Sequence, residues 1–140
     1  MKLYKTTIQA IYYFLIVFVS YTVMNKFLAL KSFQINLLKT GVFGNNTTIY
    51  LSYFVIIVEF LVLLFLVFNK KFGTLFMIIM LSVFTIYISF LRLYGRYEVC
   101  GCGGILNGLQ FKYHLIINIL LISFSYLIYN SYKKSNSNEN

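Results

Sequence analysis

Two cysteines, the only ones in the 140-residue chain, lie one residue apart in the segment Cys100-Gly101-Cys102-Gly103-Gly104. A disulfide between residues this close forms a small and strained ring, and Gly101 removes the Cβ atom that would obstruct such a turn. Strained, exposed disulfides are more oxidising and exchange faster than structural ones. The spacing therefore indicates a thiol–disulfide relay. The same pair could instead form a structural clip or remain as two ordinary buried thiols.

A single histidine, His114, follows the cysteines at the expected start of a helix, and Asn118 lies four residues later on the same helical face. A histidine close to the cysteines could accept a thiol proton or favour the thiolate electrostatically. The alternative is a histidine in the interfacial belt of a membrane protein, beside Lys112 and Tyr113.

Two thiolates and an imidazole are also ligands that suit Cu(I) or Zn(II). Cys100, Cys102 and His114 therefore form an alternative metal site. No CxxC pair is present to complete a tetrahedral ligand set. Our first interpretation is accordingly a catalytic trio of Cys100, Cys102 and His114 without a metal.

Glu59 is the one charged residue in the otherwise apolar stretch 49–68. An ionisable residue near the middle of a membrane is costly and marks a functional or packing site. Glu59 could relay protons, or form an ion pair with Lys26 or Arg92. It could also make a structural hydrogen bond to a polar residue on another helix; the candidates are Asn118, Ser123 and Ser82. We predict that Glu59, Asn118 and Lys26 support the site.

The composition excludes most classes of soluble protein. Hydrophobic residues make up 60% of the chain and charged residues only 11%, whereas soluble domains carry about 25% charged residues. The polar side chains are too few to cover a surface in water, so one integral membrane domain over residues 1–140 is the remaining interpretation. The many phenylalanines and tyrosines are expected to face lipid or lie in interfacial belts.

Four windows are long and apolar enough for spanning helices, which need about 20 residues. They are residues 7–24, 49–68, 73–93 and 113–132. Their apolar runs do not alternate with polar residues, which argues against transmembrane strands. The predicted fold class is all-α, a four-helix integral membrane bundle with a short interfacial helix after the first span.

The connections between the windows differ in character. Residues 26–39 place Ser32, Asn36 and Lys39 on one narrow wedge, which is typical of an interfacial helix whose lysines reach towards headgroups. Residues 69–72 form a short connection. The cysteine loop, residues 94–112, contains both cysteines and five of the eight glycines.

Basic residues lie near the predicted helix ends, six on each side of the membrane. The termini and the 69–72 connection carry Lys2, Lys5, Lys70, Lys71, Lys133 and Lys134; the other side carries Lys26, Lys31, Lys39, Arg92, Arg96 and Lys112. The first set is packed into shorter segments, where the positive-inside bias acts. We therefore expect both termini in the cytoplasm and the cysteine loop outside the inner (plasma) membrane. The net charge of +9 comes from residues at helix ends, where we expect it to set the orientation of the chain in the membrane and to contact anionic lipid. No nucleic-acid partner is therefore expected.

Four segments combine into a recognisable pattern: Tyr21–Phe27 with the following Phe33 and Leu37-Leu38, Val55–Phe60 around Glu59, Cys100–Gly104, and His114–Asn118. Together they span most of the chain and resemble the MauE-like branch of the DoxX-like four-helix membrane proteins. The most specific part is the Cys-x-Cys pair followed at this distance by His-x-x-x-Asn.

The resemblance implies an inner-membrane maturation factor that supports disulfide formation or export of envelope proteins. The family's namesake serves methylamine utilisation, in the production of methylamine dehydrogenase. The partners would be the lipid bilayer and an envelope client protein or redox partner. Apart from the resemblance, the location in a membrane suggests that a membrane quinone could accept the electrons, because four helices that enclose an apolar crevice beside a dithiol would suit that step. Two alternatives stay open: a membrane protein that handles copper or zinc, and a non-catalytic subunit or assembly partner of a redox complex such as a DoxX-type quinol oxidase.

Overall fold

The computed structural model describes residues 2–96 and 110–137, and all regular secondary structure in these residues is helical. The helices are α1 (Lys2–Leu28), α2 (Leu30–Lys39), α3 (Asn45–Phe68), α4 (Lys70–Leu93) and α5 (Phe111–Ser137). By length and composition, α1, α3, α4 and α5 could each cross a membrane. The predicted fold class, an all-α bundle of four spanning helices with a short helix after the first, is confirmed.

Each spanning helix contains one of the four apolar windows and extends beyond it. The 24 residues of α3 and of α4 correspond to about 36 Å at 1.5 Å per residue, somewhat more than the roughly 30 Å hydrocarbon core. In α3 the added turn is the polar stretch 45–48. Hydropathy alone misses such turns, because their side chains suit the headgroup region while their backbone continues the helix.

The four spanning helices form a ring in which α1 and α4 each pack against both α3 and α5. Each helix contributes a fully buried apolar side chain to the common core; these are Leu15, Leu66, Met77 and Ile128. The outward faces are also apolar, as a bilayer requires, because lipid rather than water surrounds them. The core therefore fixes the helix arrangement and leaves a broad lipid-facing surface.

Helices α3 and α4 are joined by Asn69 alone, so the connection is shorter than the four residues suggested by the sequence. The Asn69 side chain accepts a hydrogen bond from the backbone N–H of Phe72 at 3.3 Å and caps the start of α4. Gly73 lies directly against the backbone of Leu66. The absence of a side chain at Gly73 is what allows the two helices to approach so closely next to their turn.

Replacing Gly73 with alanine is expected to lower the free energy of unfolding by about 1–3 kcal/mol, the usual cost of overpacking. The added Cβ would meet the backbone of Phe65 and Leu66, which cannot rotate away as a side chain can. The matched variant Gly44→Ala places its Cβ where no atom lies within 4 Å, so it should lower the free energy of unfolding by less than Gly73→Ala does. Denaturant unfolding in detergent micelles measures both; equal losses would contradict the close approach.

The short helix α2 packs against α3 through two buried side chains, Phe33 and Leu37. Gln34 donates a hydrogen bond from Nε2 to Ser52 Oγ at 3.0 Å, which adds a polar link between the two helices. Ser32 and Lys39 are exposed on the opposite side of α2. The helix is therefore amphipathic, and its apolar side is occupied by the protein itself.

Candidate functional site

Cys100 and Cys102 lie outside the described residues, which resume at Gln110 after Arg96. Arg96, the last described residue before the cysteines, donates a hydrogen bond from Nη1 to the backbone carbonyl of Thr40 at 2.7 Å. The guanidinium occupies the space next to Gly41, whose φ of +65° favours glycine. The end of α4 is thereby held against the connection between α2 and α3.

A buried ion pair joins the end of α1 to the middle of α3. Lys26 donates from Nζ to Glu59 Oε1 at 2.6 Å, and the two side chains are 4% and 2% exposed. The ion pair of Glu59 with Lys26, one of the alternatives predicted from the sequence, is confirmed. The expectation that Lys26 extends towards lipid headgroups with the other lysines of 26–39 is therefore wrong. A buried carboxylate without a partner costs more than desolvating the lysine that pairs with it, so Lys26 turns inward.

The lysine ammonium is also enclosed by aromatic rings. Lys26 Nζ lies 5.9 Å from the ring centroid of Phe33 and 5.8 Å from that of Phe84, within the range of cation–π attraction. Residues of α1, α2, α3 and α4 thus surround one charge. Arg92, the other partner considered for Glu59, lies instead over the ring of Phe111 at 6.0 Å.

The second carboxylate oxygen of Glu59, Oε2, is buried and has no hydrogen-bond donor among the described residues. The polar residues proposed as its partners bond elsewhere. Asn118 donates from Nδ2 to Thr85 Oγ1 at 3.3 Å, and the hydroxyls of Ser82 and Ser123 donate to carbonyls within their own helices. A buried hydrogen-bond acceptor without a donor lowers the stability of the fold in such an apolar environment.

His114 and Asn118 face the interior of the bundle from α5, with exposed fractions of 2% and 3%. This position contradicts the alternative of a belt histidine at the membrane surface. His114 and Lys26 line the same internal space. The structure thus brings Lys26, Glu59, His114 and Asn118 to one buried place, although they come from three helices.

These four residues form part of the wall of a cavity of about 420 Å³, which all five helices line and to which α3 and α4 contribute most of the residues. The rest of the wall is almost entirely apolar. Three of its outer residues, Phe54, Ile79 and Val83, are 62%, 51% and 57% exposed on the lipid-facing surface. The cavity is therefore a crevice that runs from the bilayer side to the buried polar residues; we call it the α3–α4 crevice.

Sequence reasoning expected an apolar crevice enclosed by the helices, but it found neither the position of this crevice nor its aromatic wall. Phe33, Phe84 and Tyr87 line it, although aromatic residues in such a chain were expected to face lipid or the interface. No sequence signal separates a phenylalanine facing lipid from one lining an internal space, because both environments are apolar. The polar residues could be found because an ionisable side chain in a span stands out.

Within the described residues, no group of three or more His, Cys, Asp or Glu side chains lies close enough together to hold a metal ion. The alternative metal site needs Cys100 and Cys102, which are outside those residues. It stays a prediction from the sequence.

Comparison with known proteins gives one family. A family model described as methylamine utilisation protein MauE matches residues 4–130. No curated protein and no solved structure matches. The matched range includes the cysteine pair and every residue of the buried polar group.

Proposed function

The chain belongs to the MauE family, and from that premise we propose that it is an inner-membrane maturation factor that exchanges disulfides with envelope proteins through Cys100 and Cys102. The match covers nearly the whole chain, and the four apolar helices make it a multi-pass membrane protein. In this proposal a thiolate of a reduced client attacks the disulfide between Cys100 and Cys102. The client leaves with a disulfide and the pair becomes a dithiol.

The observation that carries the proposal is the buried group of Lys26, Glu59 and His114, whose histidine follows the cysteine loop along the chain. His114 lies in the first turn of α5, directly after that loop, and its side chain points into the bundle rather than to its surface. A bundle with only a structural role gains little from a buried ion pair, since apolar residues of similar size fill such a space at equal or lower cost. The group therefore favours a chemical role at this end of the bundle.

His114 would accept a proton when the reduced pair is oxidised again. That step removes two electrons and two protons from the dithiol, and a thiol must first ionise to attack. A buried imidazole at the end of the loop is suited to take one of these protons. Asn118, one turn further along α5, fixes the helix against α4 through Thr85.

The orientation belongs to the same proposal: both termini in the cytoplasm and the cysteine loop outside. Lys26 was counted among the six basic residues on the loop side, but its charge is paired with Glu59 inside the bundle. Fewer free charges then flank the loop, while Lys70 and Lys71 stand at the opposite end in the first turn of α4. This difference supports the positive-inside assignment, and a loop outside would face an oxidising compartment.

The experiment that tests the function mixes the oxidised protein in lipid nanodiscs with a reduced peptide that carries two cysteines. We expect one peptide disulfide to form for each new pair of protein thiols. Mass spectrometry of both partners after acid quenching measures the transfer. A peptide that stays reduced, while the protein keeps its disulfide, would contradict the proposal.

Replacing His114 with glutamine is expected to slow reoxidation of the reduced pair by oxidised glutathione about tenfold at neutral pH, because a thiol with a pKa of about 8.5 is only a few per cent ionised there without a general base. The difference should narrow above a pH of about 8.5, where a thiol ionises without help. The matched variant Tyr113→Phe changes an exposed neighbour and should react as the unchanged protein does. Equal rates for the two variants at neutral pH would remove the proton-acceptor role.

A further inference from the structure

We propose that the α3–α4 crevice binds the head of a membrane quinone, which enters from the bilayer and takes the electrons of the reduced cysteine pair. The binding site stands on the described residues alone. The electron transfer rests on the proposed thiol–disulfide function.

The position of the crevice determines what can enter it. Its outer wall is formed by residues that are themselves exposed to lipid, among them Phe54 and Val83. A molecule dissolved in the bilayer can therefore enter between α3 and α4 without crossing water. The volume of about 420 Å³ lies within the range of about 300–1,000 Å³ that small-molecule sites occupy.

The inner end of the crevice is lined by Lys26 and Glu59, whose side chains carry a hydrogen-bond donor and an acceptor. The ammonium of Lys26 carries three N–H groups, of which one is directed at Glu59 Oε1. Glu59 Oε2 is the buried acceptor that lacks a donor among the described residues. An occupant that can both accept from Lys26 and donate to Glu59 would satisfy this end of the crevice.

The charges at that end also exclude other occupants. An anionic headgroup would approach the carboxylate of Glu59, and a cationic one would approach the ammonium of Lys26, so an uncharged head is favoured. A quinone accepts hydrogen bonds through its carbonyl oxygens, and its reduced form donates them through hydroxyls. The Lys26–Glu59 pair can therefore serve both oxidation states.

The wall next to the polar end suits a flat ring. Phe33, Phe84 and Tyr87 line it, and aromatic rings pack well against one another in stacked or edge-to-face geometry. A saturated lipid chain would gain less from such a wall. His114 belongs to the same wall, which places the crevice beside the helix end that follows the cysteine loop.

The proposed step balances. The dithiol of Cys100 and Cys102 loses two electrons and two protons and becomes a disulfide, while the quinone gains both and becomes a hydroquinone. The hydroquinone then returns to the bilayer by the route through which the quinone entered. No further oxidant is needed within the protein.

The test measures binding of decylubiquinone and of its hydroquinone to the protein in nanodiscs. We expect binding of one molecule per chain and at least tenfold weaker binding in Val83→Trp, where the larger side chain fills the mouth of the crevice. The matched variant Val67→Trp changes a lipid-facing valine of similar exposure that does not line the crevice, and it should bind normally. In Glu59→Gln, hydroquinone binding should weaken about tenfold more than quinone binding, because the charged acceptor is lost.

Equal binding by the two tryptophan variants would overturn the proposal. Displacement of the bound quinone by a long-chain alcohol as effectively as by free decylubiquinone would also overturn it, and would assign the crevice to a hydroxylated lipid. A Cys100→Ser/Cys102→Ser variant separates this proposal from the function. It should bind the quinone normally and fail to reduce it. Absence of quinone binding together with normal transfer to the peptide would reject the crevice proposal and leave the function standing.

Discussion

Replacing Lys26 with methionine is expected to lower the free energy of unfolding by about 3–5 kcal/mol, the usual cost of removing one partner of a buried ion pair. Lys26 and Glu59 are almost fully buried and lie 2.6 Å apart. Methionine fills much of the same space, so the loss would come from the carboxylate left without a counter-charge rather than from a cavity. Denaturant unfolding in detergent micelles measures the change.

The free energy of unfolding of the double variant Lys26→Met/Glu59→Met should be closer to that of the unchanged protein than the value for Lys26→Met alone, because the double variant removes both charges together. Lys31→Met is the matched control, since Lys31 is an exposed lysine of the neighbouring helix α2; it should change stability by no more than about 0.5 kcal/mol. Equal effects of Lys26→Met and Lys31→Met on the free energy of unfolding would mean that the ion pair of Lys26 and Glu59 contributes nothing to stability. A stable double variant with slower thiol chemistry would indicate that the pair is kept for function.

Replacing both Cys100 and Cys102 with serine is expected to abolish disulfide transfer to the peptide completely, because no other cysteine is present in the chain. The helices should be unaffected, since their core is built by apolar contacts in other parts of the chain. Circular dichroism and the unfolding midpoint serve as the control for folding. Formation of the peptide disulfide at an unchanged rate would show that the oxidation does not pass through the chain and would favour a non-catalytic subunit.

The fold could be predicted from the sequence because a bilayer imposes a simple length and polarity rule. Four apolar windows of 18 to 21 residues, whose apolar runs do not alternate with polar residues, predicted four spanning helices. The helix ends were less predictable. Polar residues such as Asn45 and Lys70 continue their helices, and hydropathy does not record this.

The site was predictable in its polar members and not in its shape. Glu59 stood out as a charge inside an apolar stretch, and Lys26 was among its expected partners. The inward turn of Lys26 depends on the packing of α1 against α3 and on the rings of Phe33 and Phe84, which the sequence does not place. The crevice depends on gaps between helices, and only side-chain packing in three dimensions determines these.

The central claim is that Cys100 and Cys102 form an exchangeable disulfide outside the membrane. The most direct measurement is labelling of intact cells with a membrane-impermeant maleimide, with and without prior reduction. The proposed function predicts labelling only after reduction, with no further labelling of the pair when the cells are permeabilised. Labelling without reductant that requires permeabilisation would place free thiols in the cytoplasm and contradict both the orientation and the oxidative role.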